Sequence, residues 1–293
     1  MAKRTVETRL EKRGFKAYEE LEFTDDFMFG KVMEDLDLCH GVLERLLQRK
    51  IGKLVRTDLQ KEYKFTADGK PIRMDVFTRT KKEVFDAEVQ NLNKKSIKSL
   101  QLPRRTRFYQ SSVDADYMEK GYPYKRLPDS TILFLCTFDP FGKGLGKYTF
   151  REMCVEEAGL YLEDGTTKVF FNSKYKGSDI SDDLKIFYEY LDSGRAGDAL
   201  TERINQAVIK ARAIEEWRSI YVKEMVLLMD AREEGREEER KKTERATQEA
   251  EAERKRAEAE RKKAEAERKR AEEAEARIRE LEARLAAFSG SQS

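Results

Sequence analysis

Asp75 and the triplet Glu88-Val89-Gln90 are the residues of this sequence best suited to chemistry. Two acidic side chains on neighbouring strands can converge on one hard cation, and Mg²⁺ or Mn²⁺ takes carboxylate, carbonyl and water oxygens. The backbone carbonyl of Val89, between Glu88 and Gln90, can add a ligand. A cation held there lowers the pKa of a bound water and offsets charge building on a phosphate. The same residues also fit a plainer reading, as the solvent-facing side of an amphipathic sheet. Spacing alone favours that plainer reading, because D…ExQ is a weak pattern.

Further groups could join them. Asp26 can supply an additional acid or cap a helix, and Glu34 reads as a surface acid. Asp86 shares a strand face with Glu88, where it could bind a second metal or a water, although a solvated strand residue is the safer reading. Arg104, Arg105, Arg107 and Tyr109 precede Tyr117, Tyr122, Tyr124, Lys125 and Arg126. Basic side chains among aromatics suit a phosphate backbone and unstacked bases. A helix surface explains several of these arginines equally well. Arg105 and Tyr109, four apart, fall on one helical face.

The elements that must position these residues can be read from apolar spacing. Thr24 or Asp25 can cap a helix carrying Phe27, Phe29, Val32, Met33 and Leu36, with Gly41 as a break before Leu43, Leu46 and Leu47. Three strand-like segments follow, at Leu54–Phe65, Ile72–Thr78 and Glu83–Asn91, separated by the turns Ala67–Pro71 and Arg79–Lys82. In the third, Phe85, Ala87 and Val89 alternate with Asp86, Glu88 and Gln90, so the polar set shares one face. Ser96–Lys120 reads as a helix interrupted at Pro103. Thr131–Phe138 is a continuous apolar run, as in a strand buried on both faces. Tyr148–Val155 and Thr167–Asn172 read as a hairpin joined across Asp164-Gly165, and Ile180–Leu191 and Ala199–Met229 as helices. The order implies an α/β fold with a mixed sheet (αβββαβ), then helices.

The C-terminal segment is different. From Arg232 to Arg284 nearly every residue is Glu, Lys, Arg or Ala, which raises the charged content to 40% and leaves the rest closer to ordinary composition. Ala250–Arg256 recurs as Ala257–Lys263 and Ala264–Arg270. With Ala at heptad position a, position d holds Glu253, Glu260 and Glu267, so this stretch lacks a coiled-coil seam. The pairs Glu251–Lys255, Glu258–Lys262 and Glu265–Lys269 suit a solvated single helix. Only Ile278, Leu281, Leu285 and Phe288 could pair with another helix and join copies of the chain. The expected organisation is a lead-in at 1–20, a catalytic domain at 21–198, a helical extension at 199–232 and a charged tail at 233–293.

Several function classes are disfavoured. No run approaches the ~20 apolar residues of a membrane span. Met1-Ala2-Lys3-Arg4 leads into charged residues, so no signal peptide is expected. Cys39, Cys136 and Cys154 form no CxxC pair, which argues for a reducing compartment, and together these features point to the cytoplasm. His40 is the only histidine, so a His-based metal site or a Ser-His pair lacks support. Gly142–Lys147 resembles a phosphate loop but is followed by Tyr148 rather than Ser or Thr. Trp217 is expected as a packing anchor.

Five blocks carry a family resemblance: Thr24–Met33, Arg73–Val76, Glu88–Asn91, Arg105–Gln110 and Asp139–Lys143. Together, in this order and spacing, they resemble the Rpn family of recombination-promoting nucleases and transposases, within the PD-(D/E)XK superfamily. The resemblance covers about Leu21 to Asn172 and implies a restriction-endonuclease-like core. It implies a metal-dependent DNA endonuclease linked to recombination or mobile elements, with Asp75 and Glu88 as metal-binding acids and Gln90 in the motif's third position. Arg105 and Tyr109 lie in the family's blocks, and with Arg107 they are the expected DNA contacts. Two departures stand out: no proline precedes Asp75, and Gln90 replaces the superfamily's lysine. Glutamine can orient a water but supplies no fixed charge. The competing expectation is a non-catalytic DNA-binding or assembly protein that keeps the fold. It has no need of two converging carboxylates.

Overall fold

A computed structural model describes residues 2–63, 72–91, 101–119, 121 and 123–289. The expected turn at Ala67–Pro71, the start of the helix at Ser96 and Tyr122 lie outside the described residues, as do the side chains of Leu285 and Phe288. The chain divides into two compact units, residues 1–225 and 226–293.

The first unit is built on a six-stranded mixed sheet of order β1-β2-β3-β4-β6-β5. Its strands are β1 (Arg56–Tyr63), β2 (Ile72–Arg79), β3 (Glu83–Gln90), β4 (Asp129–Cys136), β5 (Lys147–Phe150) and β6 (Thr166–Asn172). β1, β2 and β3 run antiparallel in turn, β3–β4 and β4–β6 are parallel, and β5 lies antiparallel at the far edge. The turn before β3 is tight because Thr80 Oγ1 accepts from Lys82 N and Glu83 N. A parallel neighbour needs a crossover, and the helix Leu102–Glu119 lies between β3 and β4 in the chain.

Seven α-helices accompany the strands among the described residues: α1 (Ala2–Lys12), α2 (Asp26–Met33), α3 (Leu36–Leu47), α4 (Leu102–Glu119), α5 (Asp182–Ser193), α6 (Ala199–Arg212) and α7 (Glu215–Ser289). Apolar side chains fill both faces of the sheet. Val76, Phe85, Ala87, Val89, Leu133, Leu135 and Phe171 share one cluster with α2, α3, α5 and α6. Met74, Phe77, Val84, Ile132, Phe134 and Phe170 share the other with Leu102, Tyr109 and Val113 of α4. β4 is therefore buried on both faces, as its continuous apolar run requires.

Three expectations are corrected. Residues 1–20 are not a loose lead-in: Leu10 and Tyr18 are buried, Tyr18 OH donates to Ala211 O at 2.7 Å, and Tyr221 OH donates to Lys16 O at 2.8 Å. The apolar residues there are too sparse to form a visible stripe, and their partners lie some two hundred positions away. Gly41 does not break the first helix: the break falls at Glu34-Asp35, where Asp35 caps α3 by accepting from Asp37 N and Leu38 N, and Gly41 lies within α3. The expected helix Ala199–Met229 is two, broken at Ala213-Ile214, with no proline or glycine to mark the break.

α7 contributes its beginning to the first unit, where Trp217 packs against the core and Lys31 Nζ lies 5.1 Å from its ring centroid. In the second unit its charged repeat is exposed, with Lys262–Glu258 paired at 2.8 Å. Ile278 and Leu281 are exposed as well. Among the described residues no helix is long and apolar enough to cross a membrane.

Two truncations should behave oppositely. Deleting residues 1–20 removes the buried Leu10 and Tyr18 and should lower the melting temperature by several degrees, at about 2–4 °C per kcal/mol for a unit of this size. Ending the chain after Arg232 should leave the main transition within about 2 °C of the full chain. Calorimetry of the three proteins checks both.

Candidate active site

The regular β2–β3 pairing stops at Val76↔Ala87. Just beyond it, side chains take over the bonding. Asp75 N donates to Glu88 Oε1 at 2.8 Å, and Val89 N donates to Asp75 Oδ2 at 3.1 Å. Each carboxylate thus accepts from the other strand's backbone, which fixes both without using all their lone pairs. Gln90 O accepts from Thr137 N, beyond β4, so the polar groups of the adjacent Val89 point the opposite way, toward Asp75. Two carboxylates and one carbonyl therefore share one edge of β3.

α4 lies over this edge. Arg105 Nη1 donates to Gln90 Oε1 at 2.5 Å, and its Nη2 donates to Glu88 Oε2 at 3.1 Å and to Tyr109 OH at 2.9 Å. The guanidinium carbon lies 5.1 Å from the Phe134 ring centroid, and Tyr109 stacks on Phe134 at 6.1 Å. The four-residue spacing of Arg105 and Tyr109 does place them together, but facing the carboxylates instead of outward. Arg107 is on the exposed side of α4 with Arg104, away from the acids.

α2 reaches the same place. Gly30 approaches the Asp75 carbonyl, where an added Cβ would lie at 3.9 Å. Asp26, exposed at the first turn of α2, adds its negative field to both Asp75 and Glu88. The cap position belongs to Asp25, whose carboxylate accepts instead from Glu22 N and Lys16. Asn91 ties the elements together: its Nδ2 donates to Thr24 O, and Thr137 Oγ1 donates to its Oδ1 at 2.8 Å. Sequence reasoning gives the Asn91 and Thr137 side chains no role, and only a tertiary contact reveals one.

Asp86 departs most from expectation. Its place on the strand suggests a solvated residue, yet Asp86 is fully buried, and neither carboxylate oxygen has a hydrogen-bond donor among the described residues. Burial under α4 makes the polar face of β3 an interior one. Burial pushes the carboxyls of Asp75, Asp86 and Glu88 well above the ordinary carboxylate range. Mutual repulsion adds to this: Glu88 and Asp26 act on Asp75, Asp75 on Asp86, and Asp86 on Glu88. The Arg105 cation opposes the rise at all three.

The oxygen donors present suit a hard divalent cation. Mg²⁺ is commonly held by one or two carboxylates with waters completing its shell. Among the described residues no group of three or more acidic, histidine or cysteine side chains is arranged to hold a metal ion. The oxygen donors on offer are the Asp75 and Glu88 carboxylates and the Val89 carbonyl. His40 lies elsewhere, with Nε2 3.3 Å from Ile51 O. The glycine-rich loop after β4 is filled by its own acid: Asp139 accepts from the N–H groups of Phe141, Gly142 and Gly144 and from Tyr148 OH. Comparison with family models, with curated proteins and with solved structures finds no match to this chain.

The buried acids set a pH dependence. Carboxyls raised above their unfolded values hold protons that unfolding releases, so their stabilising contribution is present at low pH and lost as pH rises through the folded values. Without divalent cation, the melting temperature should rise as pH falls from 8 to 6. Asp86→Asn should stabilise the fold at pH 8 by about 1–3 kcal/mol and flatten that slope. Thermal melts in chelator at several pH values check both effects.

Proposed function

We propose that this protein is a divalent-metal-dependent DNA endonuclease, with Asp75, Glu88 and the Val89 carbonyl holding Mg²⁺ or Mn²⁺. The observation that carries the reading is the reciprocal locking of two carboxylates at the open end of the β2–β3 ladder. A fold seldom buries such repelling groups without a cation to share. The restriction-endonuclease-like arrangement is part of the proposal, supported by the mixed sheet with Asp75 and Glu88 on adjacent strands and by the resemblance of five sequence blocks to the Rpn nucleases.

When bound, the cation supplies an activated water and neutralises phosphate charge. The chain's own residues do the remainder. Glu88 and Asp75 are held in place by backbone N–H groups, and Arg105 donates to the second Glu88 oxygen. Gln90 Oε1 is engaged by Arg105 and its Nε2 lies 3.3 Å from Asn91 O, so the amide is held in one orientation for a water or phosphate oxygen. Arg105 supplies, from α4, the fixed positive charge that a lysine at position 90 would have given. Phosphates farther along the DNA meet the exposed Arg104 and Arg107 and the exposed Tyr124, Lys125 and Arg126.

Nicking of supercoiled plasmid across a Mg²⁺ titration tests the roles. Asp75→Ala and Glu88→Ala should each abolish cleavage, whereas Gln90→Ala should cost roughly 10²-fold or less, the worth of one well-placed neutral donor. Gln90→Lys should be tolerated. Arg105→Ala should lower the maximal rate yet shift the Mg²⁺ midpoint lower, since a competing cation is removed from Glu88. Binding of DNA without cleavage by the wild-type protein in Mg²⁺ and in Mn²⁺ would instead establish the non-catalytic reading.

A further inference from the structure

β5 is the last strand of the sheet, and its outer side is open among the described residues. Backbone alternation identifies what it offers. Gly146 O accepts from Asn172 N, Glu152 O accepts from Leu162 N, and Cys154 N donates to Leu160 O, so the even-numbered residues of this stretch bond inward. The polar groups of Lys147, Thr149, Arg151 and Met153 therefore point outward, ready to pair with another strand. The chain then turns back through a small hairpin, where Met153 bridges Tyr161.

This edge also carries several exposed apolar side chains. Val155 is 92% exposed, Leu162 64%, Leu160 56% and Phe150 44%. Met153 and Tyr161 are exposed beside them, and apolar side chains gathered at an unpaired strand edge mark an association surface.

We propose that β5 and its hairpin form an isologous dimer interface, the occupant being β5 of a second copy, paired antiparallel about a twofold axis at Phe150. The outward-facing residues allow this register: Thr149 then bonds across to Arg151 of the second copy, and Lys147 to Met153. Phe150 faces its own counterpart at a close, non-hydrogen-bonded position. Beyond the paired strands, the exposed hairpin tip with Val155 and Glu157 of one copy lies toward the exposed loop with Lys143 and Leu145 of the other. The acidic hairpin tip of one copy thus lands on the basic, glycine-rich loop of the other. Neighbouring registers fail on charge, because an axis at Thr149 sets Lys147 against Arg151 and an axis at Arg151 sets it against itself.

Sedimentation of the full chain tests this. The wild type should run as a dimer at micromolar concentration. Lys143→Glu and Glu157→Lys should each weaken association about tenfold or more, and the double variant should restore it. Both positions are exposed, so circular dichroism should show unchanged folding. As a geometric check, Phe150→Cys with Cys154→Ser should form a disulfide-linked dimer under mild oxidation. A monomeric wild type overturns the proposal. So does a dimer that is indifferent to both charge reversals and forms no cross-link through position 150, which would place the association elsewhere.

Discussion

The exchange between Asp75 and Glu88 is the constraint on which the site depends. Where the β2–β3 ladder ends, each carboxylate accepts from the other strand's backbone, at 2.8 and 3.1 Å. Backbone N–H groups left unpaired in the interior would cost more than a surface loss, so the side chains complete what the ladder leaves undone. The same bonds bring two negative groups together in a poorly solvated place. Rigidity and electrostatic cost arise from one arrangement.

The surrounding architecture answers that cost only in part. Arg105 reaches Glu88 and Gln90 from α4 and is itself steadied by Tyr109 and the Phe134 ring. One cation faces Asp75, Asp86 and Glu88, with Asp26 at the margin. Asp86 has no hydrogen-bond donor among the described residues, and burial beside Asp75 favours its protonated form, opposed by Arg105. In the function proposed above, a bound cation would offset this repulsion, a common pattern where pKa values are perturbed for function.

Much of this is legible in the residue order. The alternation of β3 groups Asp86, Glu88 and Gln90, and the i to i+4 spacing groups Arg105 with Tyr109, because strand and helix periods are local properties. Whether those faces meet water or interior is not local. The amphipathic-sheet reading of β3 assumes solvent where α4 lies, and the spacing of Arg105 and Tyr109 does not say that their shared face meets the carboxylates. Asn91, Thr137 and the packing of residues 1–20 depend on partners distant in the chain, for which the sequence carries no periodic signal. The break at Ala213-Ile214 lacks the usual glycine or proline and is equally hidden.

The most direct measurement is Mn²⁺ binding followed by electron paramagnetic resonance, free of any assumption about substrate. Wild-type protein should bind a cation with an affinity that falls at least tenfold in both Asp75→Asn and Glu88→Gln, while Asp139→Asn leaves it unchanged. Equal binding by wild type and both site variants, or no binding by the wild type, would contradict a cation site at the end of the β2–β3 ladder.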